Sequence, residues 1–329
     1  MLHSMRRFAA AAVAIILALS LSPAFVGAQK KDEKKKDAKG AEADKPKEVP
    51  QGTPVLWRAQ NIESLDLFRG GGQQPDLSKI TFVREDTSGT SKKYRVTDAA
   101  GREWVVKVGS EAQSETAAVR LVWAAGYQTE IVHLAPSVDI VGKGNFKNVR
   151  FELRTKERKR HGTWMWAENP FAGKRELQGL KVLMALINNW DLKDDNNVIF
   201  SGVVPGEVHY ALSDLGATFG KTGSGALWKL KRSRNNPEDF AKSKFINGVK
   251  DGRVDLTFSG VNAEMMDNIT VADARWLGQL LARLSDKQLG DAFRAANYTP
   301  AEITMLTQAV RGRINELVRL PGGTVSRTK

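Results

Sequence analysis

Apolar and polar positions change rhythm several times along the chain. Phe8 to about Leu21 is a continuous apolar run behind Arg6 and Arg7, and Gln29 to Pro50 is almost entirely Lys, Asp, Glu, Ala and Pro, with nothing to bury. From about Thr53 the composition becomes that of a globular domain. Ile80 to Val83 and Lys93 to Thr97 read as short strands, and Asp98-Ala99-Ala100-Gly101 as a turn into a third, Glu103 to Val108. This pattern predicts a three-stranded meander. Glu111 to Ala125 then carries Ala118, Leu121, Val122 and Ala125 at helical spacing until Gly126 stops it.

Strand-like pieces follow around Val138 to Val141 and Val149 to Leu153. Trp164, Trp166 and Phe171 suit either a core position at a junction or the wall of a base or sugar pocket. Leu177, Leu180, Met184 and Ile187 form one stripe, which predicts a helix over Lys174 to Asn189 with one face in a core. Val198 to Phe200 and Val208 to Leu212 read as a hairpin. The C-terminal part is helical: Ala274, Leu277, Leu281 and Leu284 share a face, and Ile303, Leu306, Val310, Ile314 and Leu317 share another. Ser285 to Gln288 and Thr299 to Glu302 read as capping boxes.

Composition limits what these elements can do. The chain has 329 residues, 41% hydrophobic and 26% charged, enough for one large domain or two small ones. A net charge of +13 fits nucleic acid, an anionic membrane surface or a phosphate-bearing ligand without choosing among them. The absence of cysteine excludes a disulfide framework, a thiolate metal site and a Cys nucleophile. His133, His161 and His209 show no metal-ligand spacing. Two arginines, an apolar run, Pro23 and the small residues Val26-Gly27-Ala28 have the layout of a secretory signal, so residues 1–28 are expected to be cleaved near Ala28 and the protein exported to the periplasm or beyond. Residues 29–52 are expected to be a disordered linker, with envelope contact through its lysines an open alternative. The basic run Arg154 to His161 reads as a solvated face or a ligand contact.

Candidate chemistry concentrates in Asn188-Asn189-Trp190-Asp191-Leu192-Lys193-Asp194-Asp195-Asn196-Asn197, with Ser213-Asp214-Leu215-Gly216 at the far end of the predicted hairpin. Phosphoryl transfer uses such a set: a carboxylate to orient or deprotonate a hydroxyl, a cation to balance developing charge, and an Asn plus a second carboxylate for Mg²⁺. A hairpin brings its ends together, so Asn196 and Asp214 are expected to be neighbours. Upstream, Lys107 near the end of an apolar strand is either an edge residue reaching water or a buried cation awaiting a partner. Glu115 on the next helix can supply that partner, with Glu111 as the alternative. The loop around Gly89 has small residues that let backbone NH groups approach phosphates.

These residues resemble the protein kinase-like superfamily. Asp191-Leu192-Lys193-Asp194-Asp195-Asn196 is similar to the catalytic loop of Asp, Leu, Lys, two variable residues and Asn, and Asp214-Leu215-Gly216 is similar to the metal-binding Asp-Phe-Gly. Asn189-Trp190 stands where His-Arg is usual, and no Ala-Pro-Glu follows Asp214, which makes this an atypical member, nearer the lipid-kinase, toxin-type or secretory-kinase branches. The resemblance implies an α+β, bilobal protein kinase-like fold, with a small antiparallel-sheet N-lobe over residues 53–165, a mainly helical C-lobe over 166–320 and a loose tail from 321 to 329. It implies Asp191 as catalytic base, Lys193 neutralising the transferred phosphoryl, Asn196 and Asp214 binding Mg²⁺, and Lys107, Glu115 and the Gly89 loop positioning ATP or another nucleotide. The acceptor would be a protein, lipid or small-molecule hydroxyl, and Lys229, Lys231, Arg232 and Arg234 could face an acidic or phosphorylated substrate; no nucleic-acid partner is expected. The alternative is an envelope pseudokinase that binds its ligand without catalysis.

Overall fold

The predicted three-stranded meander forms, and two further strands close it into a barrel. The computed structural model describes residues 49–87, 91–223 and 227–321. The expected signal sequence, nearly all of the linker, Gly89 and the tail beyond residue 321 lie outside them. Strands β2 (Ile80–Asp86), β3 (Lys92–Thr97), β4 (Glu103–Val108), β5 (Val132–Val141) and β6 (Gly144–Arg154) close in the order β2-β3-β4-β6-β5. All neighbours are antiparallel except β2 and β5, which pair in parallel through Ile80 with Ile140 and Thr81 with Val141. Tyr94, Val96, Trp104, Val106, Ala135, Ile140, Val149, Phe151 and Leu153 point inward and are buried together. The closing pair joins residues distant in the chain, so no local pattern announces it.

The other face of this barrel is charged. Lys93, Lys107 and Arg150 are cross-strand partners on β3, β4 and β6, with Glu152 and Arg154 further along β6. Helix α1 (Glu111–Ala124) packs across β4, β5 and β6, and its Ala117, Ala118, Leu121 and Val122 bury into the main core.

The C-terminal region is mainly helical, so the fold class is α+β as expected. Helix α2 (Arg175–Leu186) ends three residues before the predicted Asn189. Asn188 takes the left-handed conformation at φ 53°, and the amides of Asn188 and Asn189 turn back to the carbonyls of Ala185 and Met184 at 3.0 and 2.9 Å. That is a Schellman motif, with Asn replacing the commoner Gly. Strands β8 (Asn197–Ser201) and β9 (Glu207–Leu212) form the predicted hairpin, widened by β1 (Thr53–Val55) parallel to β9 and β7 (Lys159–Arg160) beside β8.

Two short helices, α3 (Trp228–Lys231) and α4 (Pro237–Lys242), and a two-stranded ribbon, β10 (Ile246–Lys250) and β11 (Arg253–Leu256), precede α5 (Val271–Ala282), α6 (Asp286–Ala295) and α7 (Pro300–Val318). Both predicted capping boxes form, at Ser285 with Gln288 and at Thr299 with Glu302. Leu177, Leu180 and Met184 of α2 share one core with Leu277, Leu281, Ile314 and Leu317. Trp164 and Trp166 are buried in it, 4.9 Å between ring centroids, which makes them packing residues and not a pocket wall. No helix among the described residues is long and apolar enough to cross a membrane.

One buried group makes the fold sensitive to acid. His133 on β5 lies under Trp104, and Arg120 Nη2 approaches its Nδ1 at 3.1 Å. Burial, and then the Arg120 charge, hold its pKa at about 3 against an ordinary 6.5. The folded protein keeps this ring neutral where the unfolded chain would protonate it. Its contribution is therefore complete above pH 6.5 and falls as the pH drops toward about 3. Between pH 6.5 and 5 the denaturant-unfolding free energy should fall, with at most about 1.4 kcal/mol per pH unit from this residue. His133→Phe should remove that part of the slope, and an unchanged slope would show that the ring is protonated in the folded state.

Candidate functional site

Lys107 and its partners form the better-defined half of the site. The side chain leaves β4 on the charged face, is 2% exposed, and places Nζ 2.8 Å from Glu115 Oε2, 3.3 Å from Glu111 Oε2 and 3.4 Å from Asp214 Oδ1. Of the two readings open for Lys107, the buried cation is correct, and both candidate glutamates reach it. Glu115 is the nearer and is fully buried. Its other oxygen pairs with Arg150, which also holds Glu152 at 2.8 Å. Burial raises the Glu115 pKa, against the pull of Arg150 and Lys107. For Asp214 burial also pushes upward, but Lys107, the Gly216 amide at 3.2 Å and Arg150 prevail and hold the carboxyl below its usual range.

The Asp214-Leu215-Gly216 turn is shaped by packing. Leu215 is buried in the main core, and a Cβ on Gly216 would come within 3.0 Å of the Glu111 side chain. Ser114 Oγ donates to the Gly216 carbonyl at 2.8 Å, tying α1 to this turn. Glycine thus lets the first turn of α1 approach closely enough for Glu111 and Glu115 to reach Lys107.

The second half is the loop after α2. Lys193 Nζ straddles the Asp191 carboxylate at 2.9 and 3.0 Å, and Asn196 Nδ2 donates to the Asp191 carbonyl at 2.6 Å. The hairpin joins the two halves as expected: the amides of Ser213 and Asp214 donate to the Asn196 carbonyl at 2.9 and 3.3 Å. With its amide nitrogen held by Asp191, Asn196 has its side-chain oxygen left to accept. One amide oxygen and one 41%-exposed carboxylate are hard donors that fit Mg²⁺, which usually takes few protein ligands and completes its shell with phosphate and water. Among the described residues no cluster of three His, Asp or Glu forms a metal cage, so the protein's share would be partial. Gly89 lies outside the described residues, and its part in the site is not defined.

Several supporting residues were not singled out from the sequence. Arg313 on α7 is buried and donates to Leu186 O at 2.6 Å and Asn188 Oδ1 at 3.0 Å, bracing the end of α2 from which the loop departs. Its signal was a charged residue on the same helical face as Leu306, Val310 and Leu317. Trp190, beside Asp191, donates to Ser233 O at 2.8 Å and carries Arg232 and Arg234 on its ring at 4.0 and 4.9 Å. Arg234 also pairs with Glu111, so these two arginines of the supposed substrate-facing segment are engaged inside the protein. The basic run divides: Lys156 and Lys159 are exposed, as a solvated face would have them, while its arginines are engaged. Arg154, Arg158 and Arg160 converge on the buried carboxylates Glu130 and Glu152, which require cations.

No protein-family model and no curated protein matches the chain. Solved structures do. Its course is similar to that of the Helicobacter pylori proinflammatory kinase CtkA, at 11% identity over 72% of this chain and 92% of that one, with a TM-score of 0.42. HipA of Shewanella oneidensis MR-1, from a toxin–antitoxin complex with HipB and operator DNA, is 13% identical over 77% of this chain and 69% of that one, TM-score 0.36. The Rio2 kinase of Chaetomium thermophilum, in an ADP/Mg²⁺-phosphoaspartate complex, is 10% identical over 73% of each chain, TM-score 0.30. Likeness this distant carries no argument about residues or activity.

The buried cluster yields a stability test. Glu115→Gln leaves Lys107 and Arg150 without their shared carboxylate and should cost about 3 kcal/mol in urea unfolding. In a Lys107→Met background the same change should cost clearly less, because one of the two stranded cations is already gone. Equal costs in both backgrounds would mean that the pair is not coupled.

Proposed function

We propose that this chain is a kinase-like phosphotransferase that binds a nucleotide with Mg²⁺ against Lys107, Asn196 and Asp214 and passes its terminal phosphoryl group to a hydroxyl held at Asp191. The observation that carries this reading is the reach of Lys107 to both the buried Glu115 and the partly exposed Asp214. A lysine so held presents a fixed positive charge beside a hard carboxylate, as nucleotide phosphates require. The acceptor oxygen attacks the terminal phosphorus, the bond to the bridging oxygen breaks, the proton passes to the Asp191 carboxylate, and a nucleoside diphosphate leaves. Lys193, already on Asp191, is positioned to balance charge on the transferred group. Magnesium, held by Asn196 and Asp214, would supply charge neutralisation at the phosphates.

Residues 53–165 and 166–320 serve in this reading as the two lobes. Export rests on the sequence of residues 1–28, and a mature chain beginning at Gln29, detected by mass spectrometry, would support it. An acidic substrate and envelope contact through the linker rest likewise on charge alone. A second reading, ligand binding without transfer, is favoured by the Lys193 ammonium capping both Asp191 oxygens and by Trp190 replacing the usual Arg.

Titration with ATP and with GTP, with and without Mg²⁺, tests the shared part. Binding should depend on Mg²⁺ and should be lost in Asp214→Ala. Phosphate transfer, followed with labelled nucleotide, should fall by about a thousandfold in Asp191→Asn while binding persists. Binding without measurable transfer in the wild type would select the second reading, and no binding of either nucleotide would end both.

A further inference from the structure

Among the described residues, Lys93 is a cation of the site with no hydrogen-bond or ion-pair partner. It stands on β3 directly across from Lys107 on β4, so the two side chains share the charged face of the barrel, and Arg150 extends the row on β6. Lys107 has three carboxylates around it and Arg150 has two. Lys93 is half-buried and has no hydrogen-bond or ion-pair partner among the described residues. Its cross-strand neighbour on the other side, Asp86, is engaged by Arg95 at 3.1 Å. Burial and the adjacent Lys107 charge lower its pKa, and Asp214 is the acid that most opposes this. A half-buried ammonium beside two like charges is unfavourable unless an anion joins them.

The strand position indicates what kind of anion. Lys93 is the second residue of β3, and its register partner Lys107 is the residue that reaches Asp214. A cation on the Lys107 face and under the electrostatic pull of Asp214 faces the same ligand as Lys107. We propose that Lys93 is a second phosphate-binding lysine of the nucleotide site, adding a side-chain charge beside that of Lys107. This rests on the nucleotide reading given above and specifies the part of the ligand held, its polyphosphate.

The test is calorimetric titration of the full chain with Mg²⁺-ATP and with inorganic tripolyphosphate, in the wild type, Lys93→Gln, Lys93→Met and Lys93→Arg. Lys93→Gln and Lys93→Met should each weaken both ligands about tenfold, the loss of one charge-assisted hydrogen bond. Lys93→Arg should stay within a factor of about three of the wild type. Lys93→Met keeps the apolar stem packed, so a loss seen only in Lys93→Gln would be a packing effect and would overturn the assignment. The assignment also fails if all three variants bind ATP as the wild type does while Asp214→Ala does not. A wild type that binds neither ligand would instead remove the nucleotide reading, and Lys93's role with it.

Discussion

The rest of the site depends on one buried carboxylate. Glu115 has no access to water, and its two oxygens are divided between Lys107 from β4 and Arg150 from β6. A charge in that position is tolerable only with its partners in place, so the helix and the two strands have one acceptable arrangement. The alternation of charge continues outward. Arg150 holds Glu152, Glu152 holds Arg154 at 2.5 Å, and Arg160 pairs with Glu130, whose Oε1 accepts from Ser213 Oγ at 3.2 Å. Ser213 precedes Asp214, which returns to Lys107. The charges thus form a circuit that ties the barrel to the end of the β8–β9 hairpin.

A second set of restraints holds the loop. Asn188 ends α2 in a left-handed turn, and its side chain is fixed on both sides, by Arg313 and by the Gly220 carbonyl at 2.7 Å. Trp190 is anchored by the Ser233 and Ala217 carbonyls, Leu192 by Asn262 at 2.8 Å, and Asp194 accepts from the Trp166 amide at 2.9 Å. Asp191 sits among these fixed points, partly exposed, with Lys193 and Asn196 on its carboxylate and its amide donating to Asn189 Oδ1 at 3.3 Å. The polar residues of this loop divide into those that hold the backbone and those, Asp191, Lys193 and Asn196, left at least partly exposed.

Much of the fold was legible because local rules were enough. Helix α1, the β8–β9 hairpin and both capping boxes follow from spacing and caps within a few residues of each other. The stop of α2 at Leu186 was missed because Asn188 is read as a loop polar unless its left-handed geometry is seen. The barrel was missed because its closing pair, β2 with β5, is a long-range choice made by the inward apolar face.

The sequence by itself determined which residue types were available and in what order: Lys107, Glu115, Asp191, Asn196 and Asp214, with Gly216 two residues after the last. Order and local periodicity are properties of the chain alone, and the hairpin that returns Asp214 to Asn196 is short enough to be read from it. Only the tertiary structure decided which charges are buried and therefore which must pair. It assigned Lys107 to Glu115 with Glu111 beside it, turned Arg154, Arg158 and Arg160 onto Glu130 and Glu152, and left Lys93 without a partner among the described residues. Burial depends on what packs over a residue from elsewhere in the chain, and the strength of a charge pair depends on that burial, so neither could be read from spacing.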